Sequence, residues 1–376
     1  MAMGAKLLTA LAVTLCMAVP PASARTGADA GADAGVSGAA AGAAPTADDR
    51  AGGTTAFCQG RDLIAALPAD QRAALAAVVR DVPYHQGRFW QAERDGARMT
   101  IIGTYHFPDA RHAATLARFA PVLADADALL VEAGPDEQAR LTRALADDPT
   151  LMMDPTGPTL PERLPEPVWD DLAAAMQARG MPPFMVSRMR PWYVSMMLGI
   201  APCALRQIQA EGTDSGLDGR LVAAAQAAGV PIRALEPWDT LFTLFADLTP
   251  DQQIAMMQAA LASAVNADDF AVTLAEAYFR GQIWTIWEFG IQDAYRHSGL
   301  DRAEVDEQAA LAKARMMDAR NADWIEPLEQ AALAAAGRDK GVVAAFGALH
   351  LPGEAGVLNL LAARGWRITA LDADRP

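Results

Sequence analysis

The stretch Met99–Pro108, MTIIGTYHFP, decides how this chain is read. Its first half is apolar and β-branched, the composition of a buried strand, and it ends on Gly103 with His106 three residues later. The pattern returns in Gly341–Pro352, GVVAAFGALHLP, where an apolar run ends on Gly347 and His350. Two strands that finish in the same Gly-x-x-His spelling are expected to bring both imidazoles to one site. Gly103 and Gly347 are expected to shape those loops by taking backbone angles closed to other residues.

Working outward, Asp95-Gly96 is a two-residue hairpin turn between strands Phe89–Arg94 and Ala97–Gly103. Ala113–Ala124 has helical spacing, and ADALLVEA, Ala126–Ala133, is a short buried strand that ends on Glu132. Strand, helix, strand in this order makes a parallel unit whose strand ends share an edge, so Glu132 should approach His106. A carboxylate closing an apolar strand also needs a cation or donors to meet it. From Asp136 to about Asn321 the chain reads as mostly helical, including Cys203 within Pro191–Ile208, Leu217–Ala228 and a long segment from Arg302 onward. Thr249-Pro250-Asp251-Gln252 is a capping box, the clearest helix start. One strand interrupts, VPIRAL at Val230–Leu235, and it ends on Glu236. Helix Ala322–Ala336, the His350 strand, helix Gly353–Ala363 and strand Arg367–Leu371 complete the reading. The expected fold is α/β (α+β): a central mixed sheet built from two halves, with a long helical insertion between them.

The N-terminus reads as a signal peptide over residues 1–24: Lys6, the apolar run Leu7–Val19, then a small-residue cleavage site at Ala22-Ser23-Ala24. Residues 25–55 are an Ala/Gly-rich linker with little to bury, which leaves 56–376 as the folded domain. A periplasmic or secreted location follows. Cys58 and Cys203, the two cysteines outside the signal, then read as a disulfide, with two buried free thiols as the alternative. The net charge of −15 argues against a nucleic-acid partner, and no later apolar run reaches spanning length.

GTYHF, LLVE, RPW at Arg190–Trp192, GLD at Gly216–Asp218, ALE at Ala234–Glu236, RNADWI at Arg320–Ile325 and FGALHLPGEAGVLNLL at Phe346–Leu361 together resemble the TraB/GumN family. That family includes the Tiki metalloproteases and is distantly related to the erythromycin esterases and the haem-binding ChaN proteins. The resemblance runs from Phe57 to the C-terminus. It implies a two-half α/β fold with helical insertions whose site is formed by both Gly-x-x-His histidines and a glutamate. On this chain those are His106, Glu132 and His350, with Gly103 and Gly347 as shaping glycines. The Tiki-like members imply a divalent cofactor, manganese or cobalt, and a peptide or protein substrate.

Two imidazoles and a carboxylate suit a divalent ion with open positions for water, and zinc would also accept them. The expectation is an exported metal-dependent hydrolase. Glu132 or Glu236 would take the proton from the attacking water, Arg320 would stabilise the oxyanion, and Asp218 would support the shell. Plainer readings stand beside each role. His106 and His350 are alternatively satisfied core histidines, Glu132 an ion-pair partner of Arg320 or Arg190, and Asp218 a helix cap. Arg320 near the end of a helix would serve the dipole. Two other functions compete: a binder of haem or a polysaccharide-export component, and a metal-independent esterase with a histidine base. Met181–Met197 with Phe184, Trp192 and Tyr193 is read as a peptide groove.

Overall fold

The computed structural model describes residues 58–212, 214–298 and 300–372, so the expected signal peptide and the whole expected linker lie outside the described residues. Six strands form one mixed sheet: β1 Phe89–Arg94, β2 Ala97–Thr104, β3 Leu129–Val131, β4 Ile232–Ala234, β5 Val342–Gly347 and β6 Arg367–Ala370. Their spatial order is β4-β3-β5-β2-β1-β6, with β4, β3, β5 and β2 parallel and β1 antiparallel to both its neighbours. Asp95 and Gly96 make the β1–β2 turn, both with positive φ (51° and 83°), as such a hairpin requires. The first and last thirds of the chain build the sheet centre. The helices between Pro135 and Ala336, with β4 among them, form the expected insertion.

The central strands are apolar on both faces because both faces are covered. Met99 and Ile101 of β2 and Val342, Ala344 and Phe346 of β5 pack on one side with Trp324, Ile325 and Leu328 of helix Ala319–Ala336 and Leu358 of helix Val357–Ala363. Ile102, Val343 and Ala345 face the other side, against Phe119 of helix His112–Asp125 and Leu221 of helix Leu217–Ala228. The insertion has its own core around Trp192, Leu172, Met257 and Trp287.

Element boundaries depart from the sequence reading where proline or polar contacts intervene. The expected helix Pro191–Ile208 is two, Pro191–Leu198 and Pro202–Glu211. Pro202 cannot continue a helix, and the buried Arg179 guanidinium takes the carbonyls of Met197, Leu198 and Ile200 at the break. The segment from Arg302 onward is continuous through Ala336 but carries a π turn over Ala314–Asp318, so Arg320 lies mid-segment rather than near a helix end. Trp192 and Tyr193 are buried in the insertion core, which leaves Phe184 and Met185 as the exposed apolar residues of the expected groove. Cys58 and Cys203 form a disulfide that ties the start of the domain to the insertion. Among the described residues, no helix is long and apolar enough to cross a membrane.

Candidate functional site

Parallel strands place their C-terminal ends on one edge of the sheet, and the candidate residues gather there. Thr104 ends β2 beside Gly347 of β5, and Val131 of β3 pairs with Ala345 of β5 and Ala234 of β4. His106, Glu132, Glu236 and His350 all follow those ends within a few residues.

His106 is fixed by the N-terminus of helix Leu217–Ala228. Leu217 N–H donates to the Tyr105 carbonyl at 3.1 Å. A Cβ on Gly216 would stand 2.1 Å from the His106 carbonyl oxygen, so only glycine permits this approach. Asp218, in the first turn, does not cap the helix; Gly216 holds the cap position. The Asp218 carboxylate instead accepts the Thr104 hydroxyl at 2.5 Å and places Oδ2 2.7 Å from Nδ1 of His106. The other ring nitrogen, Nε2, is buried and has no protein partner. Burial alone would lower the pKa of this ring, but Asp218 and then Glu132 outweigh it and raise it to about 9.

Glu132 is held from two sides. Its Oε2 accepts from Nη2 of Arg320 at 2.8 Å and its Oε1 from the Gly347 amide at 2.7 Å. Burial works to protonate it, yet Arg320 and the amide prevail and bring its pKa down to about 2. Glu236 takes Nε and Nη2 of Arg320 at 2.5 and 3.1 Å and the Trp324 indole N–H at 3.0 Å; burial raises its pKa. Arg320 thus joins two carboxylates. Its Nη1 donates to the Met316 carbonyl at 3.0 Å and lies 3.3 Å from Nε2 of His350. One contact from Nε and two from each Nη use all five guanidinium donors, so Arg320 has none left for an oxyanion. Its expected electrostatic role is therefore corrected to that of a clamp, and Glu132's ion pair with Arg320 is present.

His350 is fully buried against Trp324, ring centroids 4.5 Å apart. Because arginine only donates, Nε2 must accept. Nδ1 then carries the proton and donates to Asn321 Oδ1 at 2.6 Å, while Asn321 Nδ2 donates to the Ala355 carbonyl. Burial first, and Arg320 second, depress this ring's pKa to about 3. His350 is a neutral prop for Arg320.

A cleft of about 340 Å³ opens over the edge, lined by His106, Glu132 and Asp218 together with Gln138, Thr142 and Gln226. Glu236 faces a smaller neighbouring cavity with Arg320 and Trp238, and Glu132 borders both. The metal trio His106, Glu132 and His350 does not fit: both ring nitrogens of His350 are engaged, and the cationic Arg320 guanidinium lies 3.3 Å from its Nε2 and 2.8 Å from Glu132 Oε2. Among the described residues no three His, Cys, Asp or Glu side chains are grouped to hold a metal ion.

Neither Gly103 nor Gly347 takes a positive φ, and of the two it is Gly103 that acts by closeness. Gly347 has φ −49° and ψ 130°, open to other residues. A Cβ on Gly103 would meet Leu351 Cδ1 at 2.6 Å and Ala348 Cα at 3.1 Å, so this glycine lets the two Gly-x-x-His loops touch. Sequence reasoning gave no chemical role to Thr104, Gly216, Asn321 or Trp324. The motifs GLD and RNADWI contained three of them, and their polar residues beside buried positions were the available signal. His112 is wholly buried, with Nε2 2.9 Å from the Phe107 carbonyl.

No curated protein and no solved structure matches the chain. Residues 88–370, from just before β1 to the end of β6, match the family model that spans this sheet edge and all its site residues, and the chain belongs to the TraB/PrgY/gumN family.

Proposed function

We propose that this protein is an exported hydrolase of ester or peptide bonds in which His106 activates water in the cleft it shares with Glu132. One observation carries the reading: His106 has a buried, unpartnered Nε2 while its Nδ1 is backed by Asp218, which Thr104 holds in turn. The neutral ring is the form present above its pKa of about 9; there the Asp218 carboxylate, 2.7 Å from Nδ1, favours the proton on that nitrogen and leaves Nε2 as the acceptor, so activity should rise with pH through about 9. A water donating to Nε2 would lose its proton there as its oxygen attacks the acyl carbon. Asp218 and Glu132 stabilise the imidazolium that results, which then returns the proton to the leaving oxygen or nitrogen. The N-termini of helices Leu217–Ala228 and Pro135–Asp147 border the cleft through Gly216 and Pro135, and their positive dipole ends favour the anionic intermediate. The Cys58–Cys203 disulfide supports an oxidising compartment, periplasmic or extracellular.

The metalloprotease reading draws on the same unpartnered Nε2, since a ligating histidine commonly rests its other nitrogen on a carboxylate. Glu132 would be its partner ligand for manganese, cobalt or zinc. With His350 engaged elsewhere, that shell is thinner than the one expected from the sequence. The test is hydrolysis of chromogenic esters and an unstructured peptide by the full chain, with and without chelator. His106→Ala should lower kcat/KM by about 10²- to 10⁴-fold, with the chelator without effect. Full activity in that variant would overturn the proposal, and loss with chelator restored by manganese would select the metal reading.

A further inference from the structure

The same edge of the sheet carries a second depression, a groove of about 940 Å³ beside β1 and the end of β6. Four arginines line it, Arg88, Arg111, Arg118 and Arg280, against one acidic side chain, Asp372, in a chain whose net charge is −15. Arg111 is paired with Asp109 and Glu276, and Arg280 with Asp62. Arg118 donates to the Leu371 carbonyl at 2.6 Å and lies 3.7 Å from Asp372. Arg88 differs. Its guanidinium rests 4.7, 5.1 and 5.5 Å from the ring centroids of Phe89, Tyr278 and Phe279, and its Nε and Nη1 make no hydrogen bond. Among the described residues no carboxylate side chain forms an ion pair with it, and the aromatic rings are what its charge meets.

Asp372 shows what the groove accepts. Its Oδ2 takes the amide N–H of Arg88 at 2.6 Å and of Phe89 at 3.3 Å, and its Oδ1 is the loose partner of Arg118. A carboxylate from the end of the described chain therefore sits where two backbone donors and the Arg118 guanidinium meet. We propose that this groove binds the phosphate group of a small phosphorylated molecule, which displaces the Asp372 carboxylate and engages the partly exposed Arg118 and Arg280. Guanidinium forks suit phosphate oxygens better than a single carboxylate can satisfy them, and the volume lies in the range of small-molecule sites.

Titration of the full chain with pyrophosphate by calorimetry at low ionic strength tests this. The result expected is saturable binding that weakens with added salt and falls about tenfold or more in the Arg118→Ala/Arg280→Ala double variant. Asp372→Asn keeps every arginine and removes the competing charge, so it should tighten binding by about two- to fivefold. Absence of saturable binding, or binding indifferent to both variants, would overturn the proposal.

Discussion

The Gly103–His106 loop and the Gly347–His350 loop are spelled alike and leave adjacent parallel strands, Thr104 pairing with Gly347. They touch through Gly103, yet their histidines have opposite chemistry. His106 meets a carboxylate on one nitrogen and nothing on the other, and is pushed towards its cation. His350 meets an amide oxygen and a guanidinium, and is pushed towards its neutral form. A shared motif therefore fixes where an imidazole emerges; the side chains behind it decide whether it reacts or supports.

The largest expected effect separates the two rings by activity. His106→Ala should remove about 10²- to 10⁴-fold of kcat/KM on whichever ester or peptide is cleaved, with its circular dichroism unchanged. Arg320→Met attacks what holds the loops in their different states. It strands Glu132 and Glu236 without their cation, and chemical denaturation should show a loss of about 3–5 kcal/mol. His350→Ala leaves Arg320 Nη1 and Asn321 without a partner and opens space beside Trp324. A cost of about 1–3 kcal/mol in the same assay is expected, with kcat/KM falling less than in His106→Ala. Gly103→Ala pushes the loops apart where they meet and should cost about 1–3 kcal/mol, read as a lowered Tm.

The pH dependence of stability should carry opposite signatures. His106 has a folded pKa of about 9, above its ordinary value near 6.5, so it stabilises the fold fully below about 6.5 and loses that contribution as pH rises through 9. His350, with a folded pKa of about 3, refuses a proton that the unfolded chain accepts, so stability falls as pH drops from about 6.5 towards 3. Glu132, held at about 2, adds to the acid limb as pH falls below its ordinary value of about 4. Denaturation midpoints across pH should therefore lose the alkaline slope in His106→Gln and part of the acid slope in His350→Gln.

The sheet was legible because period-two burial on both faces leaves uninterrupted apolar runs, as in Met99–Ile102 and Val342–Phe346, and because Asp95-Gly96 announces its hairpin. The gathering of His106, Glu132, Glu236 and His350 followed from strand ends alone. Their roles did not, because a role depends on partners supplied by helices distant in sequence. Asp218 reaches His106 across 112 residues (218 − 106), and the Leu217–Tyr105 hydrogen bond with the Gly216 contact at the His106 carbonyl sets that approach. Arg320 was assigned to the oxyanion because sequence cannot count how many of its five donors are already used.

Proton NMR of the two histidine Cε1–H resonances, assigned with His106→Gln and His350→Gln and followed across pH, tests most directly that the paired motifs have diverged. Separate titrations are expected, His106 near 9 and His350 unprotonated until about pH 3. Two curves that coincide near the ordinary value of about 6.5 would contradict the division into a reacting and a supporting ring.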